Sequence, residues 1–409
     1  MDPYTMEKFQ DLVSGVVREE KLELEGVKDA ELEQALLLEK AAIIEARRWV
    51  EEKAPRWRLG YSQRFGYDDN IFRNAIDAKS SFIFEQKPSA GLSYGLGKLI
   101  AAADVSGGIF EYIHQPSQSR VDQNWIATSH YSLGGKTGVD AYFSYLDTQE
   151  APNSTESTPR RRQDDVFTMG VNHLVTPKIS GHFRYNIRNV DYRKSTEKAD
   201  GTETQSVETD LMYRISSKSN AFLHFKIGET QSERDRFNND SYSLGGGIQG
   251  RLWPKTVVHL NAKGTVQDFE KTNKEFTGFT LEGLAYHSVS KKTSLQLVLL
   301  RDTEYNLDAV NSYFVSNLVA FIVNHQMTSR LGLSFTGTYR FNEHQGDIEV
   351  QGKTDTREDQ VYTLGGQIEY KIGRLVSVGS SYTYSERTSV FDSKEYTAHY
   401  VTAQFKITL

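Results

Sequence analysis

Ten histidines, many carboxylates and serines, and no cysteine are the groups from which any catalytic or metal chemistry would have to be built. His114, His130, His173, His182, His224, His259, His287, His325, His344 and His399 are scattered, without a His-Glu-x-x-His and without a pair at metal-ligand spacing. The Gly-x-Ser-x-Gly at Gly91-Leu92-Ser93-Tyr94-Gly95 does not stand out as a nucleophile turn. The missing cysteine removes disulfides, thiolate metal sites, thiol catalysis and a covalently attached haem. Gly245-Gly246-Gly247 could cradle a phosphate, yet no Lys-Ser/Thr follows, so a strand kink or close wall packing is expected. Arg160-Arg161-Arg162 reads as a basic run in an external loop, either solvated or facing an anionic polysaccharide. Asp68-Asp69-Asn70, Asp164-Asp165 and Asn238-Asn239-Asp240 offer oxygen ligands for surface calcium. These patterns imply no enzyme, no cofactor and no dedicated metal site.

The elements that carry these residues divide near Pro55. Residues 1–54 are rich in Glu, Lys, Leu and Ala, and over 31–50 the apolar residues Leu32, Leu36, Ile43 and Trp49 recur at helical spacing. Asp2-Pro3 suits a helix start and Pro55 a stop. This acidic helical extension is expected in the periplasm, either as an arm that buries those four residues against a partner or as a plug in a basic lumen. The arm is preferred, because a polar lumen would offer leucines no apolar surface. No n-region and apolar h-region precede it, so an export signal is expected to have been removed already.

Across 56–409 the period changes to two. In 330–341, Leu331, Leu333, Phe335, Tyr339 and Phe341 share one face, while Arg330, Ser334, Thr336, Thr338 and Arg340 share the other. Similar alternation recurs over stretches of about 10–16 residues, longer than the 5–6 typical of soluble strands. Short turns such as Gly97-Lys98 and Gly373-Arg374 alternate with long polar connections at 67–79, 147–164, 193–204, 234–239, 269–275, 342–356 and 388–394. Eight hairpins plus one strand at each end predict about eighteen antiparallel strands, the signature of an outer-membrane β-barrel over 55–409. A soluble sandwich or propeller is the competing architecture. Only 38% of the 409 residues are hydrophobic, against an ordinary 45–50%. A barrel with a wet lumen explains the shortfall, since each strand needs one apolar face. No run approaches the roughly 18 apolar residues of a membrane helix. The net charge of −6 gives no sign of a nucleic-acid partner; lipid and lipopolysaccharide are the partners expected of the wall.

The polar face of each strand, assigned to the lumen, carries Arg58, Arg64, Arg184, Arg188, Arg214, Lys226, Arg251, Lys263, Arg330, Arg340, Lys371 and Lys406. Against these stand Asp104, Asp140, Glu208, Asp210, Glu282 and Glu369. Either the charges pair across strands, or the excess of Arg and Lys favours anionic permeants. Trp57, Tyr61, Trp125, Trp253, Tyr370 and Tyr396 suit aromatic girdles at the two interfaces.

Two segments carry a resemblance. The last strand, Ala403-Gln404-Phe405-Lys406-Ile407-Thr408-Leu409, resembles the C-terminal signal strand of bacterial outer-membrane barrels, although Leu409 stands where Phe is usual. Tyr61-Ser-Gln-Arg-Phe-Gly-Tyr-Asp-Asp-Asn-Ile-Phe72 resembles the start of a broad group of Gram-negative outer-membrane barrels, several encoded with capsule or exopolysaccharide export machinery. The resemblance implies a porin-like pore for an exported anionic polysaccharide, while the basic lumen suits small anionic solutes as well. A membrane anchor for a working N-terminal helix and a sheath around a redox partner are the other expectations.

Overall fold

A computed structural model describes residues 56–150, 160–192, 201–232, 238–269, 274–305, 313–350 and 353–409. The expected helical extension, with Leu32, Leu36, Ile43 and Trp49, lies outside the described residues.

Period-two alternation becomes eighteen strands. The first nine are β1 (Arg56–Asp68), β2 (Ser81–Leu96), β3 (Leu99–Tyr112), β4 (Arg120–Gly134), β5 (Thr137–Glu150), β6 (Arg160–Thr176), β7 (Ile179–Tyr192), β8 (Thr202–Arg214) and β9 (Ser219–Ser232). The rest are β10 (Asn239–Trp253), β11 (Thr256–Phe269), β12 (Lys274–Ser290), β13 (Thr293–Tyr305), β14 (Tyr313–Gln326), β15 (Leu331–Val350), β16 (Lys353–Lys371), β17 (Val376–Ser389) and β18 (Tyr396–Thr408). Every strand pairs antiparallel with its neighbours in sequence, and β1 pairs with β18, from Gly60 opposite Thr408 to Asp68 opposite Tyr400. The sheet is therefore closed, with no edge strand in which bare backbone groups would meet hydrocarbon. Thirteen residues of β1 span about 44 Å along the strand, or roughly 34 Å of height at a tilt near 40°. That crosses a bilayer.

The distribution of side chains decides between a soluble and a membrane architecture. Leu211, Leu223, Phe225, Tyr242 and Leu244 are exposed on the convex wall, while Ser206, Asp210, His224, Ser243 and Thr265 are buried on the concave one. A soluble sandwich would show the reverse. Trp57 and Trp253, 72% and 61% exposed, and Tyr370 flank the short-turn end as a girdle requires. Tyr396 departs from that expectation: it lies on the inward register of β18, where the Arg387 guanidinium stacks on its ring at 4.8 Å.

The triglycine stretch is a packing device. A Cβ on Gly247 would come within 1.8 Å of the Leu260 carbonyl oxygen and 2.7 Å of the Phe222 ring, and one on Gly245 within 2.1 Å of the Ala262 oxygen. Only glycine lets β10 press this close to both neighbours, so that Phe222 crosses it and stacks on His259.

Three expectations are corrected. The connection 342–356 is mostly strand, because β15 and β16 extend as a long hairpin. Arg160, Arg161 and Arg162 open β6 rather than lying in a loop. A connection at 113–119 joins β3 to β4 where the alternation of turns and loops predicts none. It contains a single polar turn.

Candidate functional site

Among the described residues the concave wall gathers charged side chains across many strands, so the lumen is the candidate site. Strand period fixes which residues reach it. On β1, Trp57, Leu59, Phe65 and Tyr67 face outward, so Arg58 and Arg64 face inward. The same parity places Arg184 and Arg188 of β7, Arg214 of β8, Lys226 of β9, Arg251 of β10, Lys263 of β11, Arg340 of β15, Lys371 of β16 and Lys406 of β18 on the lumenal register. Asp104, Asp140, Glu208, Asp210, Glu282 and Glu369 share it. Arg330 does not: it sits in the turn before β15.

Five of the expected basic residues bind carboxylates across strands. Arg58 Nη2 lies 2.7 Å from Asp104, and Arg64 3.1 Å from Glu85. Arg184 reaches both Glu208 (3.2 Å) and Asp210 (2.9 Å), and Lys226 also reaches Glu208, at 3.0 Å. Arg188 is bidentate on Asp164, at 3.0 and 2.7 Å. In two clusters one carboxylate holds two cations: Glu85 takes Arg64 and Lys87, and Asp164 takes Arg162 and Arg188. Nearly half the Arg188 side chain remains exposed to the lumen. The sequence pattern did not single out Lys87, Glu85 or the Arg120–Asp122 pair (3.2 Å), and it assigned Arg162 to a loop and Asp164 to calcium, though parity within their strands places all six on this face.

At two of the three segments expected to suit calcium, a carboxylate binds guanidiniums instead. Asp164 is engaged by two guanidiniums, and Asp68 by Arg73, whose Nη1 and Nη2 both donate at 2.8 Å. Burial alone would disfavour the Arg73 charge, but the Asp68 carboxylate outweighs it and holds the guanidinium above its ordinary value. No group of three His, Asp or Glu side chains that could hold a metal occurs among the described residues.

The wall is not polar all round. On the inward register of neighbouring strands, Leu284, Val298, Leu318, Ala320 and Ile322 are all buried. An apolar stripe thus runs across β12, β13 and β14, facing the charged wall of β1 to β9. The expectation of a uniformly polar lumen is corrected: β14 has too few polar residues to alternate, and its second apolar face points inward.

One further group lies on the lumenal face near the short-turn rim. His130 Nδ1 is hydrogen-bonded to Asp140 Oδ1, and its Nε2 is 3.2 Å from Ser132 Oγ. Asn172 Nδ2 donates to the other Asp140 oxygen at 2.7 Å. His130 stands directly opposite Asp140 in the β4–β5 ladder. Asp140 was expected on this face, whereas His130 and Ser132 were passed over because no local nucleophile signature surrounds them.

The family model described as Putative beta-barrel porin 2 matches residues 267–409, about a third of the chain. No curated protein matches it by sequence. Among solved structures it is similar to OpdK of Pseudomonas aeruginosa with vanillate, at 11% identity over 88% of this chain and 100% of that one, TM-score 0.46. OccAB4 of Acinetobacter baumannii is 10% identical over 87% and 98%, TM-score 0.49. OccK2 of Pseudomonas aeruginosa is 9% identical over 88% and 99%, TM-score 0.49. With its closed eighteen-stranded wall, apolar outside and charged within, the chain is a porin-like β-barrel of the outer-membrane type.

Proposed function

We propose that the barrel is a passive diffusion channel of the outer membrane that favours small anionic solutes. The supporting observation is the excess of Arg and Lys over Asp and Glu among the residues named on the lumenal register, with Glu85 and Asp164 each meeting two cations. Rings of Arg and Lys lower the barrier for anions and raise it for cations. A barrel of eighteen strands is wide enough for an aqueous path between such walls. An exported anionic polysaccharide shares the same charge, but that reading rests on the short motif at Tyr61 to Phe72 alone. Neither the membrane anchor nor the redox sheath draws support from a feature of the described residues.

Reversal potentials in a planar bilayer under a salt gradient test the reading. The wild-type channel is expected to prefer chloride, and Arg188→Glu with Lys87→Glu should bring the anion-to-cation permeability ratio down by at least a factor of two. A ratio that ignores both substitutions would overturn it. Liposome swelling with small organic anions, set against block by an anionic oligosaccharide, separates the two classes of permeant.

A further inference from the structure

The hydrogen-bonded chain Ser132, His130, Asp140 has an order that the channel does not require. A strand places residues i and i+2 on one face, and the pairing of β4 with β5 sets a third residue directly across from the first. Here those positions hold a hydroxyl, an imidazole and a carboxylate. Asp140 accepts from His130 Nδ1, which fixes the tautomer with its lone pair on Nε2, and Nε2 faces Ser132 Oγ at 3.2 Å. Asn172 holds the second Asp140 oxygen, so the carboxylate cannot turn away. Gly138 supplies the space: a Cβ there would come within 2.5 Å of His130 Cε1 and 2.9 Å of Asn172 Oδ1. The imidazole is buried, while Ser132 is half-buried, with its hydroxyl on the lumenal side.

We propose that Ser132, His130 and Asp140 form a hydrolytic triad at the short-turn mouth of the lumen, acting on short-chain carboxylic esters. Ser132 Oγ attacks the ester carbonyl carbon as His130 Nε2 takes its proton. The tetrahedral intermediate collapses, the C–O bond to the alcohol breaks, and His130 returns the proton to the leaving alkoxide. Water, deprotonated by the same nitrogen, then releases the acid and restores the serine. Asp140 and Asn172 are positioning residues. The inward register beside His130 carries Ile100, paired with it across the β3–β4 ladder, which suits an acyl chain of a few carbons. The Ser132 N–H donates to the Lys98 carbonyl at 2.9 Å. So engaged, the Ser132 N–H cannot serve an oxyanion hole, and turnover is expected to be slow.

The test uses the full chain in detergent, with p-nitrophenyl butyrate as substrate and a fluorophosphonate as active-serine probe. Wild type should be phosphonylated at Ser132, located by peptide mass. Ser132→Ala should lose both labelling and at least a hundredfold in turnover, the scale of a lost nucleophile and base. Asp140→Asn should lower kcat at least tenfold with KM unchanged and move the pH profile, which a merely structural hydrogen bond would not do. Heat-modifiable mobility in gels shows that each variant is folded. Labelling of Ser132→Ala equal to wild type, or no labelling of folded wild type, overturns the proposal. Bilayer selectivity is read on the same samples, so an absent esterase leaves the channel standing and an absent channel leaves the esterase.

Discussion

Asp68, Asp69 and Asn70, which as a sequence suggested a calcium loop and a family likeness, act together as a clamp. Asn70 Nδ2 donates to the Thr397 carbonyl at 3.1 Å and to Asn74 at 2.9 Å, and Asp69 Oδ1 accepts from the His399 N–H at 2.7 Å. The contacts to Thr397 and His399 cross from the end of the first strand to the last one. Their partners lie more than three hundred residues away, so no local reading could have assigned this role. Asn70 is buried, and Asn70→Ala should cost about 1–3 kcal/mol through the groups it leaves unsatisfied. Denaturant unfolding in lipid vesicles checks this, and a loss below a few tenths would mean the clamp is decorative. The lumenal charges were legible as positions because parity fixes a face. Their pairing was not, because it depends on which strands are neighbours and in what register.

At the scale of elements, alternation carried the fold, and it gave no face where a strand does not alternate. β14 has apolar residues on both faces, so its inward side could not be inferred, and with it went the argument that leucines of residues 1–54 would find no apolar surface in the lumen. The lipid-facing assignment makes a sharp demand at mid-strand. Phe225 of β9 faces outward beside the inward Lys226. Phe225→Arg should destabilise the barrel by about 2–4 kcal/mol near the bilayer midplane, while Phe225→Leu, which keeps an apolar side chain, should cost less than about 1.5 kcal/mol. Equal losses in vesicle unfolding would place that face elsewhere. Histidines at the short-turn rim show a regularity that only pairing reveals: His173, His287 and His325 each bond the threonine opposite, Thr137, Thr256 and Thr293, at 2.8 to 2.9 Å. They are interfacial polar pairs, which explains why no metal spacing linked them.

For the whole molecule, closure is the property on which the rest depends. Removing residues 396–409 would strip β18 and leave β1 and β17 with open edges in hydrocarbon, where each unsatisfied group costs several kcal/mol. No heat-modifiable folded species is expected from that truncation, and recovery of one in vesicles would show that seventeen strands can close by re-pairing. The strand number was legible because turns and loops alternate along the chain, whereas the seam itself leaves no local trace. Leu59 and Leu409 exchange backbone hydrogen bonds at 3.2 and 2.8 Å, joining the beginning of the barrel to its final residue. Assembly therefore has an order in time. The first strand must wait, unpaired on one side, until the last has been delivered, and whatever holds the unfinished sheet must shield that waiting edge for the whole interval.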